Sequence, residues 1–238
     1  MNPKLHLLFL SLLLPVFLSA QEEEDRYKIP DSIPFSIDSS YREDQFYVGF
    51  SFNLITERPS TISQESFSGG MHLGFIRDFP LNERRNVAIG LGLGWSIASY
   101  GQNLFIGESN DGTIFRSLDD DLDYSTNRFT TQLVELPLEF RWRTSTPQTY
   151  KFWRIYSGLK LGYMYNFRSN YKDSDTRVII NDIPELNRLR LGATFTFGYN
   201  TFNFQFYYAL TPFFQDAMVD EEELGLSTLK IGLTFYIL

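Results

Sequence analysis

The stretch Leu229-Lys230-Ile231-Gly232-Leu233-Thr234-Phe235-Tyr236-Ile237 alternates without a break. Leu229, Ile231, Leu233, Phe235 and Ile237 point one way, and Lys230, Gly232, Thr234 and Tyr236 point the other. A period of two is the repeat of a β-strand. Seven more segments repeat it, at about 45–55, 70–79, 86–98, 129–143, 152–168, 188–199 and 202–211, and the last runs from about 227 to the end. In the segment at 45–55 the bulky face is Phe46, Val48, Phe50, Phe52 and Leu54. In the segment at 129–143 it is Val134, Leu136, Leu138, Phe140 and Trp142.

Alternation alone does not say which face is inside. A soluble barrel would turn the bulky face inward, but eight strands enclose room only for side chains or one small ligand. The Phe, Tyr and Trp residues of these segments would overfill that space. The opposite face carries the strand glycines, among them Gly49, Gly74, Gly90, Gly92, Gly94, Gly158, Gly162, Gly192, Gly198 and Gly232. Small inward residues let a narrow barrel close. The expectation is therefore an all-β fold: an eight-stranded antiparallel up-and-down transmembrane β-barrel with its bulky face in lipid.

Composition agrees. Aromatics make up 17 % of the 238 residues, yet mean hydropathy is only −0.21. Past residue 20 no apolar run approaches the ~20 residues of a spanning helix, whereas a barrel strand needs only ~9–11 residues with alternate ones apolar. Connections alternate in length: Pro80 to Arg85, Thr144 to Lys151 and Asn200-Thr201 are short, and those around 56–69, 99–128, 169–187 and 212–226 are longer and more polar. Short periplasmic turns and long extracellular loops fit the outer membrane of a Gram-negative bacterium.

Residues 1–20 read as a signal peptide: Lys4 supplies a positive charge, Leu7 to Leu18 an apolar core, and Leu18-Ser19-Ala20 a cleavage site. The apolar stretch is short for a membrane anchor, and Gln21 stands where a lipoprotein would need cysteine. Residues 21–44 read as a flexible acidic periplasmic tail, broken by Pro30 and Pro34, and residues 45–238 as the barrel. Cysteine is absent, which excludes disulfides and thiol chemistry, and the net charge of −8 argues against nucleic acid as a partner.

Two aromatic girdles are expected where lipid meets water. Trp142, Trp153, Tyr199 and Phe202 flank the short turns; Tyr163, Tyr165, Phe167 and Tyr208 lie toward the long loops. Gly232, Phe235 and Ile237, following Lys230, have the polar, glycine, apolar, apolar order that the outer-membrane insertion machinery recognises in a final strand. Pro137 donates no ladder hydrogen bond, which predicts a bulge or break in its strand.

The inward face also holds charges: His72 and Asp78, Glu135, Glu139, Arg141 and Arg143, Arg154 and Lys160, Arg188 and Arg190, and Lys230. If Trp142 pairs with Trp153 across the turn, Glu135 falls opposite Lys160. A buried charge without a partner is costly, so these residues read as an ion-paired plug, with a narrow solute-lining channel as the alternative. Catalysis finds little support. His72 and Asp78 share a face but stand six residues apart, roughly 20 Å along a strand, too far to act as base and orienting group. Asp119, Asp120, Asp121 and Asp123 could meet Ca²⁺, but the EF-hand order and its closing Glu are missing, so a solvated acidic loop is expected. No cofactor or metal site is expected.

Glu135-Leu-Pro-Leu-Glu-Phe-Arg-Trp142, Lys151-Phe-Trp-Arg-Ile-Tyr-Ser-Gly-Leu-Lys-Leu-Gly-Tyr163 and Phe197-Gly-Tyr-Asn-Thr-Phe-Asn-Phe-Gln-Phe-Tyr-Tyr-Ala-Leu210 resemble the PorT-like outer-membrane β-barrel family of Bacteroidota. The terminal Leu229 to Leu238 agrees with it. The resemblance implies an outer-membrane barrel without catalytic residues and a role in type IX protein secretion or gliding. Its partners would be outer-membrane lipid, the insertion machinery and secretion or motility proteins of the envelope.

Overall fold

A computed structural model describes residues 44–110, 112–119, 121–145 and 151–237. The expected signal peptide, residues 21–43 of the expected tail, Asp120 and residues 146–150 lie outside the described residues. The strands are β1 (Gln45–Thr56), β2 (Ser66–Pro80), β3 (Val87–Gly101), β4 (Leu104–Ser109), β5 (Gly112–Ser117), β6 (Tyr124–Arg143) and β7 (Trp153–Asp173). They continue with β8 (Arg177–Ile180), β9 (Leu189–Tyr199), β10 (Phe202–Ala209), β11 (Met218–Val219), β12 (Glu222–Glu223) and β13 (Ser227–Ile237).

Eight of these form the wall, in the order β6-β3-β2-β1-β13-β10-β9-β7, and β6 also pairs with β7. That last pairing closes the sheet, so the wall has no free edge. Every neighbouring pair in the wall is antiparallel. The β9–β10 turn is the two residues Asn200-Thr201, and Asn200 takes φ 55°, the left-handed region that asparagine tolerates.

The outer surface is apolar. Phe50, Leu93, Leu138, Phe140, Leu161, Phe204 and Ile237 are among its exposed side chains. A continuous exposed apolar band of this size marks a membrane surface. Along β6 the outward residues run from Trp142 through Phe140, Leu138 and Leu136 to Val134, and end at Gln132. The ten steps from Gln132 to Trp142 span ~33 Å of strand at ~3.3 Å each, or about 25 Å of height at a tilt near 40°. That matches the apolar band of an outer-membrane barrel.

Three expectations need correction. First, Phe167 does not face lipid; it is 1 % exposed and points inward. The β6–β7 register shifts between Gln132↔Asn166 and Leu133↔Met164, so Tyr165 is an extra, bulged residue. A bulge of one residue reverses the sides beyond it. Second, Trp142 pairs with Ile155, not Trp153, which places Glu135 opposite Gly162 and Lys160 opposite Pro137. Third, Pro137 makes no bulge and does not end β6, and the break it does make is confined to the ladder with β3. Leu91↔Leu138 and Gly94↔Glu135 keep one register, with the pairs between them missing on the β3 side only. The ring faces the lumen, where Gly92 leaves room for it.

The long connections are not wholly solvated. β4 pairs with β5, β11 with β12, and β8 extends the sheet beside β7. Ile62, Leu104, Ile106, Ile183, Leu186, Phe213, Phe214, Val219, Leu224 and Leu226 are buried there with Tyr100, Phe129, Leu133, Met164 and Phe167 of the wall. Backbone bonds tie the segments to one another: Asn187 N donates to Phe213 O at 2.9 Å, Gln215 N to Glu185 O at 2.8 Å and Asn103 N to Ser63 O at 3.1 Å. The result is a packed apolar cap across the long-loop end of the barrel.

The band predicts a depth-dependent cost for charge. Leu138→Arg should lower the stability of the barrel in lipid vesicles by about 2–4 kcal/mol, and Gln132→Arg by about 0–1 kcal/mol. Reversible denaturant titration measures both. Equal small losses would place the band elsewhere.

Candidate functional site

The interior buries charged side chains of both signs, and glycine makes it possible. A Cβ on Gly158 would meet the Leu138 carbonyl of β6, and one on Gly192 would meet the Tyr207 ring. Where the wall carries no side chain, long polar ones from across the lumen fill the space. Three layers follow from the short-turn end upward.

In the lowest layer Arg141 and Arg143 are 0 % exposed and both donate to Asp78. Arg141 also donates to the Gln45 side-chain oxygen, and its guanidinium carbon lies 4.1 Å from the centre of the Tyr156 ring. Its Nε is 3.7 Å from Glu139 Oε2. Arg143 Nη2 donates to Arg85 O at 2.9 Å, and Arg154 donates to Asn200 O while covering the Phe152 ring at 4.4 Å. One carboxylate shared by two guanidinium groups, with aromatic faces around them, is a rigid, charge-assisted base.

The middle layer centres on Glu135. Its Oε2 lies 3.0 Å from Lys160 Nζ and its Oε1 accepts from Ser96 Oγ at 2.8 Å. Although the register differs from the expected one, Lys160 reaches Glu135 diagonally across the β6–β7 pair, within range of a long side chain. His72 Nε2 is 3.1 Å from Thr234 Oγ1, which donates to Gln205 Oε1 at 2.8 Å. His72 therefore meets a hydroxyl, and Asp78 belongs to the arginines a layer below. Lys230 lies over the Tyr207 ring at 5.0 Å. A small cavity remains between Lys160, Lys230, His72 and Gln205, with about 20 Å³ of space for the centre of a water-sized sphere.

Above this layer sits the apolar cap, with Arg190 beneath it, 4.1 Å from the centre of the Phe213 ring. Arg188 does not join the interior. It is half-exposed at the rim and donates to Asp182 at 2.6 Å. Asp119, Asp121 and Asp123 are exposed at the surface.

Outside, Trp142, Trp153, Tyr199 and Phe202 are exposed at the short-turn end, and Trp153 packs against Tyr199 with ring centres 5.3 Å apart. Toward the long loops Tyr163, Tyr165 and Tyr208 are also exposed. Tyr165 OH accepts from Trp95 Nε1 at 2.8 Å and donates to Gln132 Oε1 at 2.7 Å, so Trp95 is a girdle residue that periodicity did not single out. At the rim Glu57 accepts from Tyr208 OH and Ser227 Oγ, both at 2.8 Å, which holds its carboxyl below the usual range. In β13 Gly232 faces the lumen, while Phe235 and Ile237 face outward.

The Glu135–Lys160 pair predicts a test. Glu135→Leu leaves Lys160 buried beside Lys230 without a carboxylate and should cost about 3–5 kcal/mol. Adding Lys160→Met should restore most of that loss. Unfolding in detergent measures the cycle, and a double variant no better than the single would mean the two charges do not interact.

Solved structures similar to this chain include Ail, the attachment invasion locus protein of Yersinia pestis. It is 10 % identical at a TM-score of 0.34, over 82 % of this chain and 97 % of that one. Ail in complex with the heparin analogue sucrose octasulfate is 14 % identical at 0.34, over 82 % and 99 %. A triple mutant of Rhodopseudomonas blastica porin is 8 % identical at 0.22, over 83 % and 100 %. No curated protein sequence matches the chain. The family described as the outer membrane protein beta-barrel domain matches residues 19–215, most of the chain, and the protein belongs to that family.

Proposed function

We propose that this protein is a closed outer-membrane barrel whose work is structural or interactive and is done at its capped long-loop end rather than through its lumen. One observation carries the reading. The cavity between Lys160, Lys230, His72 and Gln205 has space for about one water, and among the described residues the mouth above it is packed with buried aromatic and aliphatic side chains. A solute path would have to part both the ion-paired layers and the cap.

In this reading residues 1–20 are removed on export, residues 21–44 reach periplasmic partners, and the cap faces the exterior. A PorT-like role in type IX secretion or gliding rests on the quoted likeness of segments that build β6, β7, β9 and β10. Deleting the gene should then block export of cargo proteins or abolish gliding. Enzymatic chemistry is not part of the reading, because the His72 ring faces Thr234 rather than a carboxylate.

Purified protein in planar bilayers should give no conductance steps. Stable unitary currents, altered by Lys160→Met, would overturn the closed-lumen reading in favour of a narrow channel.

A further inference from the structure

Among the described residues the lumen buries the cations Arg141, Arg143, Arg154, Lys160 and Arg190 and the carboxylates Asp78, Glu135 and Glu139. Lys230 is half-buried on the same inward face. Asp78 serves Arg141 and Arg143, and Glu135 serves Lys160. Arg190 and Lys230 have no carboxylate within 4.0 Å among the described residues.

Arg190 is 2 % exposed, and neither Nη1 nor Nη2 has a hydrogen-bond acceptor. Its neighbour is the Phe213 ring, and that of Lys230 is the Tyr207 ring. A ring face attracts a cation but supplies no opposite charge. Inside a wall surrounded by lipid, a cation without a counter-charge is expensive.

The small cavity lies beside such a cation. Lys230 and Lys160 line it, together with His72, Gln205, Tyr207 and Glu135. One Glu135 oxygen accepts from Ser96 and the other lies 3.0 Å from Lys160, so Lys230 is the cation at the cavity without an ion pair of its own among the described residues. Arg190 lies two residues before Gly192, which is opposite Lys160 in the β7–β9 register, and it adds positive potential from above. About 20 Å³ admits one water-sized or monatomic particle; a tetrahedral oxyanion is larger.

We propose that this cavity binds one halide-sized anion, taken up against Lys230 and Lys160 under the field of Arg190, as a built-in counter-ion of the lumen. The site goes beyond the closed-lumen reading and is tested separately from it.

The experiment compares thermal unfolding of the full chain, refolded in detergent, in chloride and in gluconate at equal ionic strength. Gluconate is too large for the cavity. A ligand that binds only the folded state raises its unfolding midpoint with concentration. The expected result is a midpoint several degrees higher in chloride, with the difference lost in Lys230→Met. The same midpoint in both salts would overturn the proposal. So would a chloride effect of equal size in Lys230→Met, which would mark a general salt effect. Crystals of wild-type protein refolded in bromide give a readout that does not depend on the variant folding. An anomalous peak in contact with Lys230 Nζ is expected, and its absence from the lumen would overturn the proposal. A barrel silent in planar bilayers but indifferent to chloride would sink the anion site and leave the closed-lumen reading standing.

Discussion

The pairing of β6 with β7 is the contact on which the rest of the structure depends. In lipid no water can satisfy a peptide group, so each wall strand must find partners on both sides. Closing the wall after eight strands meets that requirement and at the same time fixes the width of the interior. A narrow interior cannot hold the bulky halves of the strands, so those halves go to the lipid. Glycine, serine and threonine go inside, and long polar side chains reach across the space they leave. Membrane band and charged lumen are thus two results of one closure.

The interior then divides by chemistry. Toward the short turns, arginines share Asp78 and stack on Tyr156 and Phe152. At mid-height Glu135 joins Lys160 and Ser96. Toward the long loops the wall residues become Tyr100, Phe129, Leu133, Met164 and Phe167, and the loops fold down on them. The bulge at Tyr165 serves this change. It turns Phe167 into the cap while leaving Tyr165 outside, hydrogen-bonded to Trp95 and Gln132 at the upper girdle.

Much of the wall was legible because period two is a direct consequence of strand geometry, and Leu229 to Ile237 or Val134 to Trp142 carry it without interruption. The charged interior was legible for the same reason, since Glu135, Glu139, Arg141 and Arg143 share a parity. What escaped was set by contacts distant in sequence. Tyr163, Tyr165 and Phe167 continue the alternation, so nothing local announces the bulge that breaks it. Leu104, Ile183, Phe213, Phe214 and Leu224 are scattered among polar residues, and only the folded loops bring them into one core. The β6–β7 register depends on the turn between them, and a shift of two preserves every side and is invisible to periodicity. Arg188 and Arg190 look alike in the chain. Only the rim position of Arg188, beside Asp182, separates it from Arg190 under the cap.

The central claim is that β6 presents one face to lipid and the other to a filled interior. The absence of cysteine lets each position from 134 to 142 be replaced singly by a spin-labelled cysteine without background. In lipid vesicles, labels at 134, 136, 138 and 140 should be relaxed by dissolved oxygen, which concentrates in the bilayer. Labels at 135, 139 and 141 should be shielded from both oxygen and a water-soluble nickel reagent. Strong nickel relaxation at 135 and 139 would reveal a water-filled lumen, and oxygen exposure on the odd-numbered positions would reverse the faces; either result would contradict the account.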